Sequence, residues 1–144
     1  MTTTNTSTPA DLLTFGRSMW ASIDRGEVEA VLATFHPDIV WISDETAGPW
    51  AGAFYGIEAV ATMILEFQTF SEGTFAQEVV DLLSSAHRLG SELRETGRKD
   101  GHEYANASLW VSRVVDGLTT EVRTLSFDPE PARRFWAAVA TPSA

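Results

Sequence analysis

Asp44 and Glu45 are adjacent carboxylates at the start of the loop DETAGPWAGAFYG, and Asp44 is the first candidate in the chain for moving a proton. A carboxylate can take a proton from a carbon beside a carbonyl if it lies within hydrogen-bond reach of the substrate and its pKa is tuned to the working pH. The plainer role for Asp44 is to cap its own loop as an Asx turn. Tyr55 precedes Gly56, and its phenol either donates a hydrogen bond at a pocket mouth or simply packs. The three histidines read differently: His36 at a helix end before Pro37, His87 in a turn, His102 exposed after a glycine turn. None has the HxxxH or His-x-Asp spacing of a metal site. No phosphate loop, nucleophile elbow or dinucleotide fingerprint is present. The expectation is an active chain without cofactor or metal.

The elements that must position these groups centre on Gly101 to Asp128. Asp116-Gly117 between two β-rich runs signals a hairpin. Before the turn, Asn106, Ser108, Trp110, Ser112 and Val114 share a face; after it, Thr120, Val122, Thr124 and Ser126 do. Small hydroxyls and a tryptophan are a poor filling for a solid core and suit a cavity wall. Trp41 and Trp110 offer rigid apolar surface to a hydrophobic ligand or else fill the interior themselves. Trp50, in a Gly/Pro loop, reads as a lid residue.

A length of 144 residues supports one domain that buries roughly 70% of its unfolded surface. Apolar content of 44% excludes a disordered chain. A formal net charge of −10 argues against nucleic acid or an anionic membrane as partner. The absence of cysteine removes disulfides and thiolate catalysis. The start MTTTNTSTP has neither the basic nor the apolar region of a signal peptide, so a soluble, cytoplasmic protein is expected.

In order, residues 1–8 read as a flexible tail and residues 9–140 as the domain. Thr8 is the expected N-cap of a first helix that Gly26 closes. A second helix presents Val28, Val31, Leu32 and Phe35 and stops at Pro37. A strand over 39–43 and the carboxylate loop precede a third helix from Ile57. Strands are expected near 74–83 and 88–95, then the hairpin, then a closing helical turn or two over 132–139. Between them, SELRETGRKDGHE reads as a wet, charged hairpin tip. Helices first and a strand meander after them predict an α+β fold: a curved antiparallel sheet over three helices with a pocket between.

In this order the segments IDRGEVEAVLATFHPDIVW, FYGIEAVATMI and GHEYANASLWVSRVVDG resemble the nuclear-transport-factor-2-like superfamily, and more narrowly its SnoaL-like polyketide cyclase and ketosteroid isomerase branch. The resemblance implies a cone of curved sheet closed by helices, and a homodimer through the open sheet face. Ketosteroid isomerases carry a general base at the end of the first strand, a position that falls on Ser43, one residue before Asp44; the longer loop also admits Glu45. Their helix tyrosine corresponds to Met19, beside Trp20. Asn106 matches a polar position that cyclase-like relatives keep, Trp110 takes the place of their histidine, and Val122, Thr124 and Ser126 replace a Glu-Arg-Tyr ladder. Titratable groups thus give way to aromatic and small polar ones.

The expected function is a small cyclase or isomerase acting on a hydrophobic, polyketide-like intermediate of secondary metabolism, as in antibiotic biosynthesis. Either Asp44 or Glu45 removes the proton while Asn106 or Tyr55 steadies the enolate, or the pocket folds its substrate for ring closure. Met19, Trp20, Trp41, Trp50, Ser108, Trp110, Thr124 and Ser126 would bind that substrate. The alternatives are a binding or assembly module without chemistry, and an epoxide hydrolase or dehydratase.

Overall fold

A computed structural model describes residues 8–139. The expected tail lies outside them, apart from Thr8, as does residue 140. Helix α1 (Pro9–Asp24) opens with a capping box, in which the Thr8 hydroxyl accepts from Asp11 N and the Asp11 carboxylate accepts from Thr8 N. Helix α2 (Val28–Leu32) is only five residues long. Strand β1 (Phe35–Ser43) leads into a 3₁₀ segment (Glu45–Trp50), followed by the short β2 (Gly52–Tyr55) and helix α3 (Ile57–Phe70). Four long strands follow: β3 (Ala76–Ser84), β4 (Arg88–Lys99), β5 (His102–Val115) and β6 (Leu118–Ser126). Helix α4 (Glu130–Ala138) closes the described chain.

The strands form one open, six-stranded sheet in the order β2-β1-β6-β5-β4-β3. Every neighbouring pair is antiparallel except β1 and β6, which run parallel and correct the all-antiparallel expectation. Two-residue turns set the register of the long strands. Asp116-Gly117 and Asp100-Gly101 both place two successive residues at positive φ, the backbone that matches the twist of a hairpin.

The second helix ends earlier than its apolar spacing predicts. Phe35 and His36 belong to β1, because Thr34 O accepts from Thr119 N and Phe35 pairs with Thr119. Pro37 therefore sits in a strand, where the β1–β6 ladder is irregular, and His36 is no helix-end cation. Its ring Nδ1 accepts from Asp38 N.

Helix α1 lies on β3 and β4. A Cβ at Gly16 would stand 2.9 Å from Leu89 Cδ2, so any larger residue would have to push the Leu89 methyls aside. Under that helix Met19, Trp20 and Leu93 form one apolar cluster, while Phe35, Ile39, Trp41, Trp50, Val60 and Met63 form another beneath α3. No described helix is long and apolar enough to cross a membrane.

Candidate functional site

The inner face of the sheet and the helices enclose a cavity of about 610 Å³, within the range of small-molecule sites. Trp41 and Trp110 meet edge to face in its wall, ring centroids 4.9 Å apart, and Trp20 backs Trp110 at 5.3 Å. The tryptophans shape the cavity without filling it.

Alternation along β4 turns Leu89, Ser91, Leu93, Glu95 and Gly97 inward. Glu95 is thereby 6% exposed and lines the cavity, which overturns the wet reading of that hairpin tip. Register supplies its partners. Gln77 on β3 and Asn106 on β5 are its direct cross-strand neighbours, and Ser108 is diagonal to it. Ser108 Oγ donates to Glu95 Oε1 at 2.7 Å, Gln77 Nε2 to Oε2 at 2.9 Å, and Asn106 Nδ2 reaches Oε1 at 3.3 Å. Burial pushes the carboxyl pKa up. The three hydrogen bonds oppose that shift, and the charge of Asp44 adds to it.

Tyr104 extends the polar end of the cavity. Its hydroxyl donates to Thr46 O at 3.1 Å and lies 3.3 Å from Asn106 Nδ2, and burial together with the Glu95 charge raises its pKa. Asn106 Oδ1 accepts from Ser126 Oγ at 2.6 Å, which fixes the amide with its donors toward Glu95 and Thr46. In the cavity wall Thr119 Oγ1 is buried without a hydrogen-bond partner.

The expected proton donors and acceptors are distributed differently. Asp44 is half-buried and does not line the cavity. It caps the 3₁₀ segment, with Oδ1 accepting from Thr46 N and the Thr46 hydroxyl, while Oδ2 accepts from Ser126 N at 2.8 Å. Glu45 is exposed and paired with Arg133. Tyr55 is 71% exposed and lies off the cavity. Neither Glu45 nor Tyr55 can therefore reach a molecule held in the cavity.

Met19, Trp41, Trp50, Trp110 and Thr124 stand in the wall, together with Asn106. Trp50 is no lid: it is buried, its ring stacks edge-on against Phe67 and Phe70, and its indole donates to Glu66. Trp20, Ser108 and Ser126 stand behind the lining and touch it through Trp110, Glu95 and Asn106. Ser43, at the general-base position of the resemblance, accepts from the Trp41 indole at 3.1 Å. Glu95, Tyr104, Thr46 and Gln77 were missed, although the period-two run through Leu89, Ser91 and Leu93 places Glu95 on the inner face.

Among the described residues, no group of three His, Asp or Glu side chains could hold a metal. The model of a family described as a SnoaL-like domain matches residues 17–122. No curated protein matches the chain. Among solved structures, Bal32a from a soil-derived mobile gene cassette superposes with a TM-score of 0.79 at 20% identity, covering 86% of this chain and 95% of its own. An NTF2-like protein from Burkholderia xenovorans superposes with a TM-score of 0.71 at 18% identity, covering 89% and 97%. TerC, co-crystallised with polyporic acid, gives 0.71 at 16%, covering 88% and 98%.

Proposed function

Because the chain belongs to the SnoaL-like domain family of the nuclear-transport-factor-2-like superfamily, and because its cavity buries a single carboxylate among aromatic rings, we propose that it is a small enzyme that moves a proton on a hydrophobic, carbonyl-bearing molecule. The observation that carries this reading is Glu95: buried, raised in pKa, and held at the cavity wall by side chains of the two flanking strands. A carboxyl pushed toward the working pH is better suited to take a proton and return it than an ordinary one.

In the proposed step the Glu95 carboxylate takes a proton from the carbon α to a carbonyl. The C–H electron pair passes into the enolate, and Asn106 Nδ2, 3.3 Å from Glu95 Oε1, turns from the carboxylate to steady the developing oxyanion. For a polyketide-like substrate the enolate carbon then attacks a second carbonyl, and the new alkoxide takes its proton back from Glu95. Isomerisation is the same sequence with the proton returned to another carbon. Trp41 and Trp110 hold the chain of carbons folded for that attack. TerC, which shares the fold, was co-crystallised with a small organic molecule, polyporic acid, and this supports a small-molecule role.

The reading is tested by proton exchange in deuterium oxide with β-tetralone and larger fused-ring ketones, followed by NMR. Wild type should speed exchange at the α carbon, and Glu95→Gln should not. A binding role without chemistry draws on one observation: both Glu95 oxygens already accept hydrogen bonds. It predicts ketones that bind and do not exchange.

We also propose that the outer sheet face pairs with a second copy. It exposes Leu83, Leu125 and Phe127, the last at 62%. Light scattering should give a dimer that Phe127→Asp dissociates.

A further inference from the structure

We propose that the cavity admits uncharged hydrophobic molecules and rejects anionic ones, so that its substrates are neutral ketones, esters or lactones and not free acids, phosphates or sulfates. The inference rests on the cavity being the ligand site, as read above, but not on Glu95 moving a proton.

Its basis is the sign of every charge around the cavity. Among the described residues, no Lys, Arg or His lines it. The positive charges stand off the lining, paired or exposed, and Arg25 comes nearest, bound to Glu27 at the rim. Arg25 pairs with Glu27, Arg123 with Glu121, Arg133 with Glu45, and Lys99 with Glu72 while lying over the Phe70 ring. The remaining arginines are exposed on the outside. The acidic groups are placed the other way, with Glu95 inside and Asp24 and the Arg25-paired Glu27 at the rim.

Three donors of the aromatic wall are also committed. The Trp41 indole is spent on Ser43, the Trp50 indole on Glu66, and the Tyr104 hydroxyl on Thr46 O. An anion entering would give up its hydration and meet no counter-charge, and it would face a carboxyl whose own ionisation burial already opposes. The formal net charge of −10 adds a long-range field of the same sign. A neutral molecule meets none of these costs. A hydroxyl or carbonyl on it could instead satisfy Thr119 Oγ1, which has no partner in the protein.

Two dyes with one carbon skeleton test the proposal on the intact chain: N-phenylnaphthylamine, which is neutral, and anilinonaphthalene sulfonate. Binding is read from dye fluorescence and from quenching of tryptophan emission. The Leu125→Ser/Phe127→Ser background removes apolar side chains from the outer face. The neutral dye should bind at one per chain, and the sulfonate about tenfold more weakly or worse. Gln68→Arg, which adds a cation at the exposed edge of the lining, should narrow that gap.

Equal affinity for the two dyes overturns the proposal, and so does a gap that Gln68→Arg leaves unchanged. Binding of neither dye overturns it together with the assignment of the cavity as a ligand site. A selective cavity in which Glu95→Gln leaves ketone exchange untouched would remove only the proton-transfer reading.

Discussion

Asp44 and Glu95 belong to one hydrogen-bonded network, joined through Thr46 and Asn106, yet they are held in opposite ways. Asp44 accepts from two backbone amides and a hydroxyl, in a loop that it caps. Those bonds tie the 3₁₀ segment to the end of β6 and use the carboxylate as a structural staple. Glu95 accepts only from side chains of flanking strands, and it lines the cavity. The difference shows what makes a carboxylate available for chemistry. Proximity to a pocket does not suffice when backbone amides have already claimed the lone pairs, and burial at a cavity wall shifts the pKa where loop capping gives access to nothing.

The largest effect that would break this comparison is kinetic. Glu95→Gln should lower proton exchange by roughly 100- to 10,000-fold, the usual worth of a general base. Burial raises the Glu95 pKa, so the acid limb of the wild-type pH profile should lie above the ordinary carboxylate range and vanish in the variant.

Next in size is the aromatic wall shared by both regions. Trp110→Ala removes the ring between Trp20 and Trp41 and should cost about 3 kcal/mol in denaturant unfolding. Asp44→Ala should cost about 1–2 kcal/mol, as loss of a capping side chain does, and leave ligand binding in place. A loss of binding equal to that of a cavity residue would erase the distinction drawn above.

Glu95 also marks the dependence of stability on pH. The folded-state pKa of Glu95 lies above its unfolded value, so the folded chain holds that proton more tightly. Its contribution to stability is complete below the unfolded pKa and is lost as pH rises through the folded one. Glu95→Gln should therefore gain in melting temperature relative to wild type as pH is raised across that window. The smallest effect expected is that of Thr119→Val. Exchanging an unpartnered buried hydroxyl for a methyl should be neutral or stabilising by up to about 1 kcal/mol.

Much of the fold is legible in the sequence because local chemistry and tertiary structure agree there. The capping pair of Thr8 and Asp11, and Asp116-Gly117 between alternating runs, specify their elements without outside help. The edge of α2 is not legible in this way. Val28, Val31, Leu32 and Phe35 have helical spacing, but Phe35 is taken by a parallel pairing with Thr119, eighty-odd residues further on. The short β2 has no periodicity of its own and exists through its pairing with β1.

At the site, the hydroxyl-lined face of β5 is readable from alternation alone, and Asn106 and Trp110 line the cavity accordingly. Glu95 was hidden by its neighbours in sequence, since Glu92, Arg94, Arg98 and Lys99 make the segment look solvated. Only the strand phase counted from Leu89 and Leu93 separates it from them. The adjacent pair Asp44-Glu45 drew attention for the opposite reason: it is conspicuous in sequence, and its groups are used for capping and for a surface ion pair.

The central claim is tested most directly by the ratio of exchange rates in two variants assayed with the same ketone. With β-tetralone in deuterium oxide, Asp44→Asn should retain exchange within a few-fold of wild type, while Glu95→Gln falls to background. The reverse order, or equal rates in both variants, would contradict the assignment of proton transfer to Glu95.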